Sequence, residues 1–239
     1  MPCIQCTGNP FTIITLAANL WQAACSGQDP PAAAEPAPEI GLPLSSAVAN
    51  TLRNAMGGRA ARRGIETLAR MIEGAIGKPI CYVVPAHPHY DHTGDLRGLA
   101  SEGACVLTAA GHEDEIRGIV ESPHTNPPSA LAMRAAKGAE IGQVEVFARE
   151  TEISDGDQVL RLYEVTTIPH VNPKVLAYVE GDGIVFQSDW FFGGPRPDAI
   201  ALYEAVTALG LEVSQVVGDH GGVIPGEVLM ALGKTGVEE

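Results

Sequence analysis

The chain has 239 residues, 45% hydrophobic and 18% charged, with a formal net charge of −14. This is the composition of a globular protein long enough to bury a sizeable core in one large domain or two small ones, and it excludes a coiled coil or a wholly disordered chain. The acidic balance disfavours nucleic acid or an anionic membrane surface as a partner, since both need clustered Lys and Arg.

Taken in chain order, residues 11–25 (FTIITLAANLWQAAC) have the length and character of an export leader's apolar core, but no Lys or Arg precedes Arg53. The Ala-Ala-Cys ending at Cys25, followed by a Pro/Ala-rich stretch, resembles a bacterial lipoprotein signal, with Gln22 where such signals carry Leu. The cytoplasm is the expected compartment, with export or a lipid anchor as the alternative. No apolar run reaches the ~18 residues that span a bilayer. Residues 1–46 read as a poorly ordered tail and linker, and 47–239 as the folded domain. The five cysteines lack the spacing of a disulfide framework. Cys3 and Cys6 read as a tail pair, and Cys81 and Cys105, in apolar runs, as small buried hydrophobes.

A helix is expected in ARRGIETLARMIEGAIG, where Ile65, Leu68, Ile72 and Ile76 recur at helical spacing before Gly77. The strand ICYVVP follows, apolar throughout as befits a strand covered on both faces. Next come a helix from about Asp95, the strand ACVLTA, and a helix near His112 whose first turn carries Glu113, Asp114 and Glu115. A loop and short helix occupy SPHTNPPSALAMRAAKG. The strands VEVFA, QVLRLYEVT, KVLAYVE and GIVFQS come next, the last two joined by the tight turn Gly181-Asp182-Gly183. A helix over residues 198–209 and the strand QVVGD close the series. Mixed strands with interleaved helices predict an α/β sandwich.

Three of the seven histidines fall in AHPHYDH, residues 86–92, at the end of the ICYVVP strand. In an extended segment residues two apart point the same way, so His87 and His89 suit one ion, while Asp91 and His92 can turn toward a second position. Imidazole with carboxylate suits zinc, iron or manganese, and the lack of cysteine argues against a purely structural thiolate site. One segment cannot complete two coordination spheres, so further ligands are expected downstream at strand ends. His170, Asp189 and His220 stand there. His112 and His124 read instead as solvated or substrate-loop residues. Trp190, Phe191 and Phe192, and Tyr90 within the motif, either line a substrate pocket or pack the core.

The order H-x-H-x-D-H, then a lone His, a lone Asp and a last His, each after a strand, resembles the metallo-β-lactamase superfamily of metallohydrolases. The resemblance spans about residues 65–227 and includes Gly94 and the D-H-G-G around His220. It implies an αββα sandwich, with His87, His89 and His170 on a first divalent metal, Asp91, His92 and His220 on a second, and Asp189 bridging both. It also implies a hydrolase whose nucleophile is a metal-bridging hydroxide, with Asp91 as the catalytic residue that orients it or passes a proton to the leaving group. The strand hairpin with which the family's domain opens is not recognisable before residue 60. The first sheet is therefore expected to lack edge strands and to invite pairing with another chain, a homo-oligomer included.

A bridging aspartate at position 189 resembles thioesterase, lactonase and general ester-hydrolase members, whereas the true β-lactamases carry Cys or Ser there. After His220 the only basic residue is Lys234, which departs from glutathione thioesterases. The expected function is hydrolysis of a small ester, thioester, lactone or lactam by two divalent metals, zinc foremost. The alternatives are a mononuclear iron persulfide dioxygenase using His87, His89, His170 and Asp189, and a truncated, inactive metal-binding protein.

Overall fold

A computed structural model describes residues 12–15, 79–93, 96–123, 128–155, 158–167, 171–191, 197–218 and 223–236. In chain order the strands are β1 (Thr12–Thr15), β2 (Ile80–Val84), β3 (Cys105–Ala109), β4 (Val144–Phe147), β5 (Glu150–Asp155), β6 (Gln158–Val165), β7 (Lys174–Glu180), β8 (Ile184–Gln187), β9 (Gln215–Gly218) and β10 (Val223–Pro225). The helices are α1 (Tyr90–Thr93), α2 (Leu96–Ser101), α3 (Glu113–Glu121), α4 (Ala130–Ala136), α5 (Pro197–Ala208) and α6 (Gly226–Gly236).

The strands form two sheets. One has the order β1-β2-β3-β4, all parallel; the other runs β10-β9-β8-β7-β6-β5, antiparallel except where β8 meets β9. Parallel neighbours need a crossover, and α2 supplies it between β2 and β3, as α5 does between β8 and β9.

Side-chain alternation then builds the layers. On β2 and β3, Val84, Leu107 and Ala109 face Leu160, Leu162, Val175 and Ala177 of the second sheet and form the core between the sheets. The opposite faces pack outward: Val83 and Val106 against Leu96, Leu99 and Ile116 of α2 and α3, and Tyr163, Leu176 and Tyr178 against Leu202, Val206 and Leu229 of α5 and α6. The result is a four-layer αββα sandwich, as the sequence implied.

The tight turn joining β7 to β8 occurs as expected, with Gly181 and Gly183 at φ +91° and +66°, values open to glycine. Two expectations are corrected. Thr12–Thr15, inside the segment read as a tail, runs parallel to β2 and edges the first sheet; its β-branched TIIT sequence suits a strand as well as it suits a leader. Cys81 and Cys105 are buried as expected, but both are disulfide-bonded. The expected helix before Gly77 lies outside the described residues.

Candidate metal centre

The apolar strand β2 ends at Val84, and the chain bends through Ala86–Pro88 before α1. Val175 at the start of β7 donates its N–H to Ala86 O at 2.8 Å, tying this bend to the second sheet. The carbonyl of His89 accepts from His92 N (3.0 Å) and from Thr93 Oγ1 (2.9 Å), which closes the first turn of α1. His87 and His92 are thereby carried into the interior, 1% and 2% exposed, while His89 remains exposed.

The other half comes from the end of β8. Gln187 accepts from the N–H groups of Trp190 (2.9 Å) and Phe191 (3.1 Å) through Oε1, and donates to Phe191 O through Nε2 (2.9 Å). This side-chain staple folds the chain back on itself and leaves Asp189 at φ +59°, a left-handed conformation that Asp tolerates better than most residues.

From that turn the Asp189 carboxylate meets the histidines. Its Oδ2 lies 3.3 Å from His87 Nε2 and 3.2 Å from His92 Nε2, and His87 Nε2 lies 3.0 Å from His89 Nδ1. The rings are close, with His87 centroids 4.5 Å from His89 and 4.1 Å from His92. Ligand atoms of His87, His89 and Asp189 all lie within 4.8 Å of one another. Zinc–nitrogen and zinc–oxygen bonds of about 2.0–2.1 Å in a tetrahedron put neighbouring donors about 3.3 Å apart. The observed separations are close to that, so the residues present fit a divalent cation.

Their charge states suit it too. Burial disfavours the imidazolium of His87 and lowers its pKa to about 4, against the opposing effect of the hydrogen bond it donates to Asp189, so at neutral pH this ring is neutral. Burial alone would raise the Asp189 carboxyl, but hydrogen bonds from His87 and His92 outweigh it and hold the group well below the usual carboxylate range. A neutral imidazole and an ionised carboxylate are the forms that ligate metal.

Of the residues singled out from the sequence, His87, His89, His92 and Asp189 come together. His170, His220, His124 and Phe192 lie outside the described residues, as do the side chains of Tyr90 and Asp91. Trp190 and Phe191 are 1% and 0% exposed and belong to the core beneath α5 and α6, so the packing alternative describes them. His112 is not solvated: it is buried, with Nε2 2.6 Å from Pro173 O. Ser188 and Lys174 were missed. Ser188 Oγ lies 3.3 Å from His92 Nδ1, and Lys174 is buried beneath the Asp189 turn. A polar pair, Gln187-Ser188, ending an apolar strand just before a candidate ligand was the available signal for the first; for the second, the sequence offered none.

A family model described as the metallo-beta-lactamase superfamily matches residues 57–214. The chain belongs to this superfamily. Among solved structures it is similar to a metallo-beta-lactamase from Pontibacter korlensis, at 18% identity and a TM-score of 0.50, covering 73% of this chain and 77% of that one. It is likewise similar to TMB-1, at 14% identity and a TM-score of 0.50, covering 72% and 74%. The rubredoxin oxygen:oxidoreductase of Desulfovibrio gigas is a further neighbour, at 15% identity and a TM-score of 0.47, covering 70% of this chain and 47% of that one. No curated protein sequence matches. At such identities the structural likeness shows the metallo-beta-lactamase fold. Superfamily membership supports a metal-dependent, hydrolase-like function in general, on a fold that generally binds divalent metals, usually zinc. Among the described residues no helix is long and apolar enough to cross a membrane.

Proposed function

We propose that the chain hydrolyses a small ester, thioester, lactone or lactam at a pair of divalent metals, zinc foremost. His87, His89 and His170 would hold one ion, Asp91, His92 and His220 the other, with Asp189 shared. The observation that carries this reading is the meeting of His87 Nε2 and His92 Nε2 on one carboxylate oxygen, Asp189 Oδ2, at 3.3 and 3.2 Å. An oxygen flanked by both rings would let Asp189 be shared between two ions.

Bound cations of this kind acidify water to a pKa near 7 and polarise a carbonyl, which removes any need for a Ser or Cys nucleophile. The chain's own part is to present donors in the right state. His87 keeps its ring neutral through burial. Ser188 Oγ, beside His92 Nδ1, sets the plane of that ring so that Nε2 faces Asp189. Asp91, in the first turn of α1, takes the catalytic role, holding a proton at its carboxylate for transfer to the leaving group.

The deciding experiment is a panel of small esters, thioesters, lactones and lactams run on wild type and Asp91→Ala, with metal content measured in both. Turnover by wild type with about two zinc per chain, lost in the variant, supports the reading; equal rates remove Asp91 from it. A second reading has its own support. The three-donor group His87, His89 and Asp189 has the two-histidine, one-carboxylate make-up of mononuclear iron oxygenases. One iron per chain with oxygen uptake on a persulfide would favour that reading over hydrolysis.

A further inference from the structure

Lys174, the first residue of β7, is fully buried at 0% exposure. Its Nζ donates to Ser188 O at 3.1 Å and to Asp189 O at 3.2 Å, and stands 5.6 Å from the centre of the Trp190 ring. The next residue, Val175, holds Ala86 O through its N–H, one position before His87. Residues 174–175 thus touch both chain segments that meet in the candidate centre.

A buried ammonium costs several kcal/mol unless its donors are satisfied, and an apolar side chain of like volume would fill the space without that cost. Simple core filling is therefore a poor account of a lysine here. Two consecutive carbonyls drawn to one Nζ fix two consecutive peptide planes, and those planes set where the Asp189 Cα–Cβ bond points. They do so at a residue whose φ of +59° lies outside the regions an L-residue adopts by default.

We infer that Lys174 is a positioning residue of the metal centre: its ammonium clamps the carbonyls of Ser188 and Asp189 and so aims the Asp189 carboxylate at His87 and His92. The inference rests on the metal-binding reading proposed above, and its test separates the two.

Wild type, Lys174→Met, Asp189→Gly and the double variant are stripped of metal, checked for folding by circular dichroism, and titrated with zinc against a chromophoric chelator. Glycine at 189 removes the carboxylate while accepting the positive φ. Lys174→Met is expected to weaken zinc binding about 10- to 100-fold, the range typical of groups that orient metal ligands. In the Asp189→Gly background the same change is expected to cost less than about threefold, because its target is gone. An affinity for Lys174→Met within about threefold of wild type overturns the inference, and so does an equal loss in both backgrounds. If Lys174→Met does not fold, Lys174→Gln replaces it under the same criteria; loss of the fold in both assigns Lys174 to core stability and overturns the inference. Wild type that takes up no zinc, or Asp189→Gly that binds zinc like wild type, overturns the metal-centre reading itself.

Discussion

His92 and Asp189, 97 positions apart in sequence, meet at 3.2 Å between Nε2 and Oδ2. The contact joins the first turn of α1, which follows a strand of the first sheet, to the turn that ends β8 in the second. The two halves of the sandwich therefore converge at a carboxylate, and that residue should carry the largest single effect. Asp189→Asn keeps the shape and tolerates the left-handed conformation, but removes the charge. Zinc affinity is expected to fall at least tenfold, with hydrolysis of any substrate found reduced by more than about 100-fold, since a carboxylate ligand of the proposed centre would act on both binding and rate. Chelator competition and steady-state kinetics read the two effects; an unchanged zinc affinity would remove Asp189 from the ligand set.

Ser188 offers a finer test of the same geometry. Its hydroxyl touches His92 Nδ1 and not the side of the ring that faces Asp189. Ser188→Ala should therefore leave the ligand set intact while loosening the orientation of one ligand. A loss of about tenfold in zinc affinity is expected, with stability lowered by about 1 kcal/mol for one neutral hydrogen bond. A loss of stability with no change in zinc binding would make the contact purely structural.

The pH dependence of the metal-free protein follows from His87. Its pKa is about 4 in the fold against 6.5 for the free side chain, so as pH falls the unfolded chain takes up the proton first. The stability of the neutral, buried ring is thus fully present above pH 6.5 and is lost between there and about 4. At ~1.4 kcal/mol per pKa unit, the loss is at most about 3 kcal/mol. Asp189, held low by His87 and His92, has the same sign and loses its contribution as pH falls further. Acidification also relieves the repulsion of a chain with net charge −14, which acts the other way. Comparison with His87→Gln cancels that shared effect. Urea denaturation from pH 7.5 to 4 should show the gap between the two proteins narrowing as pH falls; a constant gap would contradict the buried, neutral assignment.

Much of this architecture was legible because it rests on local pattern. β2, β3 and β7 announce themselves as apolar runs, and the density of histidine after β2 marks the centre before any fold is known. β5 was missed for a physical reason. Among the described side chains of ETEISD only Ile153 is buried, so this edge strand leaves almost no periodic trace. β1 was missed because an apolar TIIT beside a Pro/Ala-rich stretch reads equally as a leader. Lys174 lay beyond sequence reasoning altogether: a charged residue at the head of an apolar run normally marks the solvent end of a strand. Here the turn after β8 folds back over that end and meets the ammonium with two carbonyls. His112 misled for the same reason, since its acidic sequence neighbours face out while its own ring reaches Pro173 O.

Phe191 puts the packing role of the aromatic pair to the test. Its side chain is fully buried beneath α5 and α6, and its backbone is held by Gln187 rather than by a site residue. Phe191→Ala removes a packed ring and leaves a cavity, for which about 3–5 kcal/mol of destabilisation is expected. At about 2–4 °C per kcal/mol for a domain of this size, that is a fall of roughly 10 °C in Tm. The centre's donors are untouched, so KM for any substrate found should stay within about twofold of wild type at a temperature where the variant is folded. A rise in KM with little change in Tm would instead place this ring against the substrate. Thermal denaturation and steady-state kinetics on the one variant therefore decide between core and pocket.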